Sequence, residues 1–68
     1  MIDETTTPQE AILFAIEQEK EAHKFYIQAA KIARYPGTRQ MFEEMAKEEL
    51  KHLQRLQDEM NMEYMKDV

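Results

Sequence analysis

One turn signal governs what this chain can fold into. Tyr35-Pro36-Gly37-Thr38 is the single internal stretch that interrupts a helical pattern. Proline disfavours helix at the residue before it, and glycine accepts a positive φ. No helix breaker stands between Glu10 and Arg34, or between Arg39 and Tyr64. Thr7-Pro8-Gln9-Glu10 reads as a helix start: Thr7 caps, Pro8 takes the first helical position, and Glu10 completes a capping box. Thr38 reads as the cap of the second helix. The expected layout is a helix over about 8–34, a turn over 35–38 and a helix over about 39–64. Each helix would be about 40 Å long at 1.5 Å per residue. A link this short joins antiparallel neighbours. The expected fold class is therefore all-α, a single antiparallel two-helix hairpin over residues 1–68.

The apolar residues recur at steps of three and four, which keeps one face of each helix towards a partner. In the first helix the stripe is Ile12, Ala15, Ile16, Glu19, Ala22, His23, Tyr26, Ala30 and Ala33, opposite Glu17, Glu21, Lys24, Gln28 and Lys31. In the second it is Met41, Phe42, Met45, Ala46, Glu49, His52, Leu53, Leu56 and Met60, opposite Glu43, Glu44, Lys47, Lys51 and Arg55. Met41, Met45, Met60, Met62 and Met65 read as adaptable core or interface residues.

The polar residues on these stripes carry the information. Glu19 stands among Ile16, Ala22 and Tyr26; Glu49 stands between Met45 and Leu53, with His52 three residues on and on the same face. A carboxylate in a helical core is costly unless a compensating charge or hydrogen bonds accompany it. A metal ion neutralises several carboxylates together. Counted from Arg34 and Thr38, Glu19 and His52 fall roughly 21–23 Å from the turn, and Glu49 about a turn nearer. The three groups can meet near mid-height. Bundles that hold two irons or two manganese ions take a Glu from each of two helices and a Glu-x-x-His from each of the other two. This chain offers one of each, so two copies would complete the set. His23, one turn after Glu19, is open to three readings: a further ligand, a hydrogen-bond partner of a ligand, or a boundary residue.

Size points the same way. A single core of 68 residues supplies at most about 3–5 kcal/mol. Such folds usually add disulfides, a metal or a partner chain. There is no cysteine, which excludes disulfides, thiolate zinc sites and iron–sulfur centres. Histidine–carboxylate ligation and self-association remain. The apolar faces have no other partner within the hairpin, so a homo-oligomer is expected, a dimer at least, with a larger ring open. The net charge of −5 argues against nucleic acid as a partner. No apolar run approaches the roughly 20 residues of a membrane span. The acidic start Met1-Ile2-Asp3-Glu4 lacks a signal-peptide pattern. A cytoplasmic setting is the expectation.

Two stretches carry a family resemblance. Ala15-Ile16-Glu17-Gln18-Glu19-Lys20-Glu21-Ala22-His23-Lys24-Phe25-Tyr26 resembles the first ligand helix of the rubrerythrin branch of the ferritin-like superfamily. Phe42-Glu43-Glu44-Met45-Ala46-Lys47-Glu48-Glu49-Leu50-Lys51-His52 resembles the second, with its Ala-x-x-Glu-x-x-His pattern. The resemblance covers residues 9–57. It implies a ferritin-like four-helix bundle formed by dimerisation, with Glu19, Glu49 and His52 as metal ligands. It implies iron, two per site shared by two chains, with manganese or zinc as other occupants. Tyr26 would act beside the metal, its hydroxyl on a ligand carboxylate. The implied activity is oxidation of ferrous iron by O₂ or peroxide, as a ferroxidase or a rubrerythrin-like peroxidase. Rubrerythrins carry four bundle helices in one chain and usually a cysteine-ligated iron domain. This chain matches two helices and has no cysteine, which makes it similar to encapsulated ferritins. An encapsulating shell and an external electron donor follow from that likeness. The competing expectation is a purely structural hairpin that dimerises through its Met, Ala and Leu faces.

Overall fold

A computed structural model describes residues 2–64. The described chain is all-helical, with α1 over Pro8–Ile32 and α2 over Pro36–Glu63 packed antiparallel. The start of α1 is as expected. Thr7 Oγ1 accepts the Glu10 N–H at 3.1 Å, and Glu10 Oε1 accepts the Thr7 N–H at 2.9 Å. Two of the orphan donors of the first turn are thereby satisfied.

The connection differs from the sequence expectation. The turn is Ala33-Arg34-Tyr35, not 35–38; α1 ends at Ile32 rather than 34, and α2 begins at Pro36 rather than 39. Tyr35 is extended, with φ −102° and ψ 137°, as a residue before proline should be. Pro36 then occupies the first helical position, where its missing N–H costs nothing. Gly37 has no positive φ and is simply helical. Thr38 lies inside the first turn, and α2 has no side-chain cap. The Arg39 guanidinium instead reaches back and donates to the Ala33 carbonyl at 3.2 Å, closing the end of α1.

This turn sets the register. Tyr26 and Phe42 lie eight residues either side of Arg34, and their rings stack at 6.2 Å. Glu19 and Glu49 each lie fifteen residues from Arg34, so they stand at the same height. The expected offset of one turn disappears because α2 starts three residues earlier.

The core is thin. Ile16, Ala29, Ala30, Ala46 and Met60 are buried, and no large side chain is fully enclosed. The residues expected on the outer faces are exposed, and most of those expected inward are buried or half-buried. The exceptions are Met41 and His52, which are exposed. Among the other methionines, Met60 is buried, Met45 half-buried and Met62 exposed; Met65 lies outside the described residues. The molecule measures 50 × 26 × 12 Å. Its thickness is that of a single helix layer, whereas stable domains pack two. It exposes 5741 Å², against about 4,500 Å² for a compact monomer of this mass. No helix among the described residues is long and apolar enough to cross a membrane.

The two caps give a direct check. Thr7→Ala should cost about 1 kcal/mol by denaturant titration, whereas Thr38→Ala should cost a few tenths at most. A larger loss at Thr38 would restore the later helix start.

Candidate metal centre

Glu19 comes from α1, and Glu49 and His52 from adjacent turns of α2. One oxygen from each carboxylate and one ring nitrogen lie within 4.8 Å of one another. His52 Nδ1 is 3.3 Å from Glu19 Oε2 and 3.7 Å from Glu49 Oε2. The level shared by Glu19 and Glu49 puts them face to face across the hairpin. The three-residue step to His52 returns the imidazole to the same side.

Burial is graded across the cluster. The Glu49 side chain is 15% exposed, Glu19 25% and His52 55%. The cleft beside it is lined by Ala15, Glu19, His52, Arg55, Leu56 and Glu59, so the cluster opens on one flank of the hairpin. Glu49 Oε2 is buried with no hydrogen-bond partner. Two ionised carboxylates cannot hydrogen-bond to each other, since neither carries a donor. Protonation of one supplies it. The Glu49 carboxyl is accordingly held above the usual carboxylate range, first by that hydrogen bond with Glu19, then by burial and by the Glu19 charge. His52 opposes the shift.

The donor set suits a cation. Two carboxylates and an imidazole are the ligands iron and manganese take, and zinc accepts them too. The orphaned Glu49 oxygen is the atom that such an ion would satisfy.

Other residues fall elsewhere. Tyr26 is seven residues from Glu19, about 10 Å along the helix. Its ring packs edge-on to Phe25 and stacks on Phe42. Its hydroxyl makes no hydrogen bond to Glu19 or Glu49, whereas the ring is half-buried against Phe42. His23 lines the opposite flank with Ile27, Glu43, Ala46, Lys47 and Leu50, away from the cluster. Arg55 and Glu59 also line the cleft; the sequence pattern placed Arg55 on the outer face of α2 and assigned Glu59 to neither face.

Comparison with known proteins agrees with this geometry. The family model described as Rubrerythrin matches residues 10–67. The chain belongs to the rubrerythrin family. No curated protein and no solved structure matches it. The rubrerythrin match spans both helices and all three clustered side chains.

The strained carboxylate pair makes a prediction for metal-free protein. A raised carboxyl value means that the folded chain holds the Glu49 proton more tightly than the unfolded chain. That contribution to stability is complete below the unfolded value of 4.5 and is lost as pH rises through the folded value. Glu49→Gln should therefore raise the melting temperature of metal-free protein at pH 7. The gain should shrink as pH falls towards 4.5; a gain that grows in acid would contradict the assignment.

Proposed function

We propose that this rubrerythrin-family hairpin is half of a di-iron carboxylate centre that oxidises ferrous iron with O₂ or peroxide, the site being shared between two chains. The observation that carries the reading is the incomplete cluster. One hairpin brings together two carboxylates and one imidazole, half of what a di-metal bundle site requires. Its most buried oxygen has no partner. The cluster also opens on the flank of a layer too thin to be a domain by itself.

The roles of the residues follow from their chemistry. Glu19 and Glu49 supply the negative charge that binds and neutralises the cations, and a second chain doubles it. The His52 imidazole supplies a neutral nitrogen donor when Nδ1 or Nε2 is unprotonated. The same apolar surroundings that strain the carboxylates in the absence of a cation strengthen their attraction to one. When bound, a pair of irons supplies two electrons together to O₂ or to a peroxide. These 68 residues hold no cysteine, so electrons that re-reduce the centre would come from a group outside them.

Anaerobic titration of the purified protein with ferrous iron tests the reading. Saturation is expected near one iron per chain, two per pair of chains, followed by oxidation on adding O₂ or peroxide. Glu19→Ala and Glu49→Ala should each abolish uptake. Normal uptake in Glu19→Ala would sink the shared site. A chelator that leaves dimerisation and melting temperature untouched would favour a hairpin that is structural only.

A further inference from the structure

The flank of the hairpin away from the ligand cleft has no part in the metal centre. At 3.6 residues per turn, Leu13, Ile16, Lys20, His23 and Ile27 turn from Glu19 in the opposite sense to Ala15, which lines that cleft. Two hollows between the helices open on this flank. One is lined by Leu13, Ile16, Gln57 and Met60, the other by His23, Ile27, Ala46 and Leu50. Leu13, Ile27 and Leu50 are 51%, 37% and 48% exposed. Leu13 and Ile27 are fourteen residues apart, about 21 Å along the helix. Leu50 stands between them in height, one residue beyond Glu49, which is level with Glu19. The hollows are therefore two stations of one apolar groove.

Charge sets this groove apart from the rest of the chain. The sequence holds fourteen acidic residues, yet none lies between Ala22 and Phe42. Lys24, Lys31, Arg34 and Arg39 stand in that stretch, which spans the turn. Lys20 and Lys24 run along the α1 edge of the groove, and Arg39 and Lys47 along the α2 edge. Glu43 is the one carboxylate that lines either hollow. Lys20 and Lys24 reach Glu17 and Glu21, farther round α1, at 3.7 Å each. Exposed pairs of this kind contribute little, so both ammonium groups remain free to meet a partner. Lys47 pairs with no carboxylate among the described residues.

An apolar groove edged by cations suits a rod that is apolar on one face and acidic along its sides. An amphipathic helix has that form, and apolar side chains at every second turn would reach both hollows. His23, half-buried in the hollow nearer the turn, can donate to a carboxylate that enters beside it. Other occupants suit the groove less well. A second copy on a two-fold axis would bring the same flank, whose open half carries Gln54, Gln57 and Asn61. The cations would then meet amides or one another. A flat anionic membrane would touch the lysines and leave the hollows unfilled. Nucleic acid would use the cations alone and leave Leu13, Ile27 and Leu50 without apolar contact.

We propose that the groove opposite the ligand cleft is a docking site for an acidic amphipathic helix of another protein. The proposal stands apart from the shared metal site and does not require it. A synthetic fluorescein-labelled helix of about 18 residues is the probe, with leucine at helical spacing on one face and glutamate on both sides. Its anisotropy is followed against the whole zinc-loaded chain. Saturable binding is expected, weakened about tenfold as salt rises from about 0.05 M to about 0.5 M. The variant carrying Lys24→Glu and Lys47→Glu should bind the peptide about tenfold more weakly and keep the parent's oligomeric mass and metal uptake. A peptide with serine in place of each leucine should also lose about tenfold. Amide shifts on adding the parent peptide should centre on His23, Ile27 and Leu50. Equal binding of the serine peptide, unchanged affinity in the double variant, or no saturable binding would each overturn the proposal. Shifts confined to Ala15 and Arg55 would do the same. Tighter binding to phosphatidylserine vesicles than to the peptide would assign the flank to a membrane surface instead, and loss of the oligomer in the double variant would assign it to self-association.

Discussion

Two carboxylates facing each other at one height of a helical hairpin are the constraint on which the rest depends. Glu19 and Glu49 are equidistant from the turn, flanked by apolar residues, and mostly shielded from water. Like charges so placed cannot both ionise without a cost. The chain has three remedies: a shared proton, the nearby imidazole, or a cation. The first is reflected in the raised Glu49 carboxyl, and the second is partial, since His52 is over half exposed. Only a cation satisfies the orphaned Glu49 oxygen and both charges together. Stability is given up at this height, a pattern that functional sites commonly show.

The hairpin is thin because it is a single layer of two helices. Its central level, occupied by Glu19, Glu49 and His52, adds no large apolar side chain to the core. The buried set is accordingly small: three alanines, one isoleucine and one methionine. Large apolar groups such as Phe25 and Ile32 are exposed on the flank. In the proposed pairing, a second layer would supply the missing burial. In the proposed shared site, folding, assembly and metal binding would form one equilibrium, because a ligand held only by the assembled state adds its binding energy to that state.

Much of this was legible in the sequence. The capping box at Thr7 and Glu10 was readable because its signal is local: a cap, a proline and a glutamate at fixed spacing. That Glu19, Glu49 and His52 come together was readable because an acidic residue on an apolar stripe contradicts its surroundings, and the Glu-x-x-His step sets the face. The turn was misplaced by about three residues because proline has two meanings: it ends a helix before it and begins one after it. Pro36 does the second. Gly37 is helical because nothing there demands a positive φ. The inward place of Tyr26 was readable from the stripe; its stacking on Phe42 was not, because that contact is set by the register of the two helices. Arg55 and Glu59 could not be found from one helix alone, because the cleft they line exists only where the flanks of both helices meet.

Anomalous scattering at the iron edge, from crystals grown with ferrous iron, tests the central claim most directly. The account predicts iron peaks among Glu19, Glu49 and His52 of two chains packed flank to flank. Iron bound elsewhere, or a cluster left facing solvent in every copy, would contradict it.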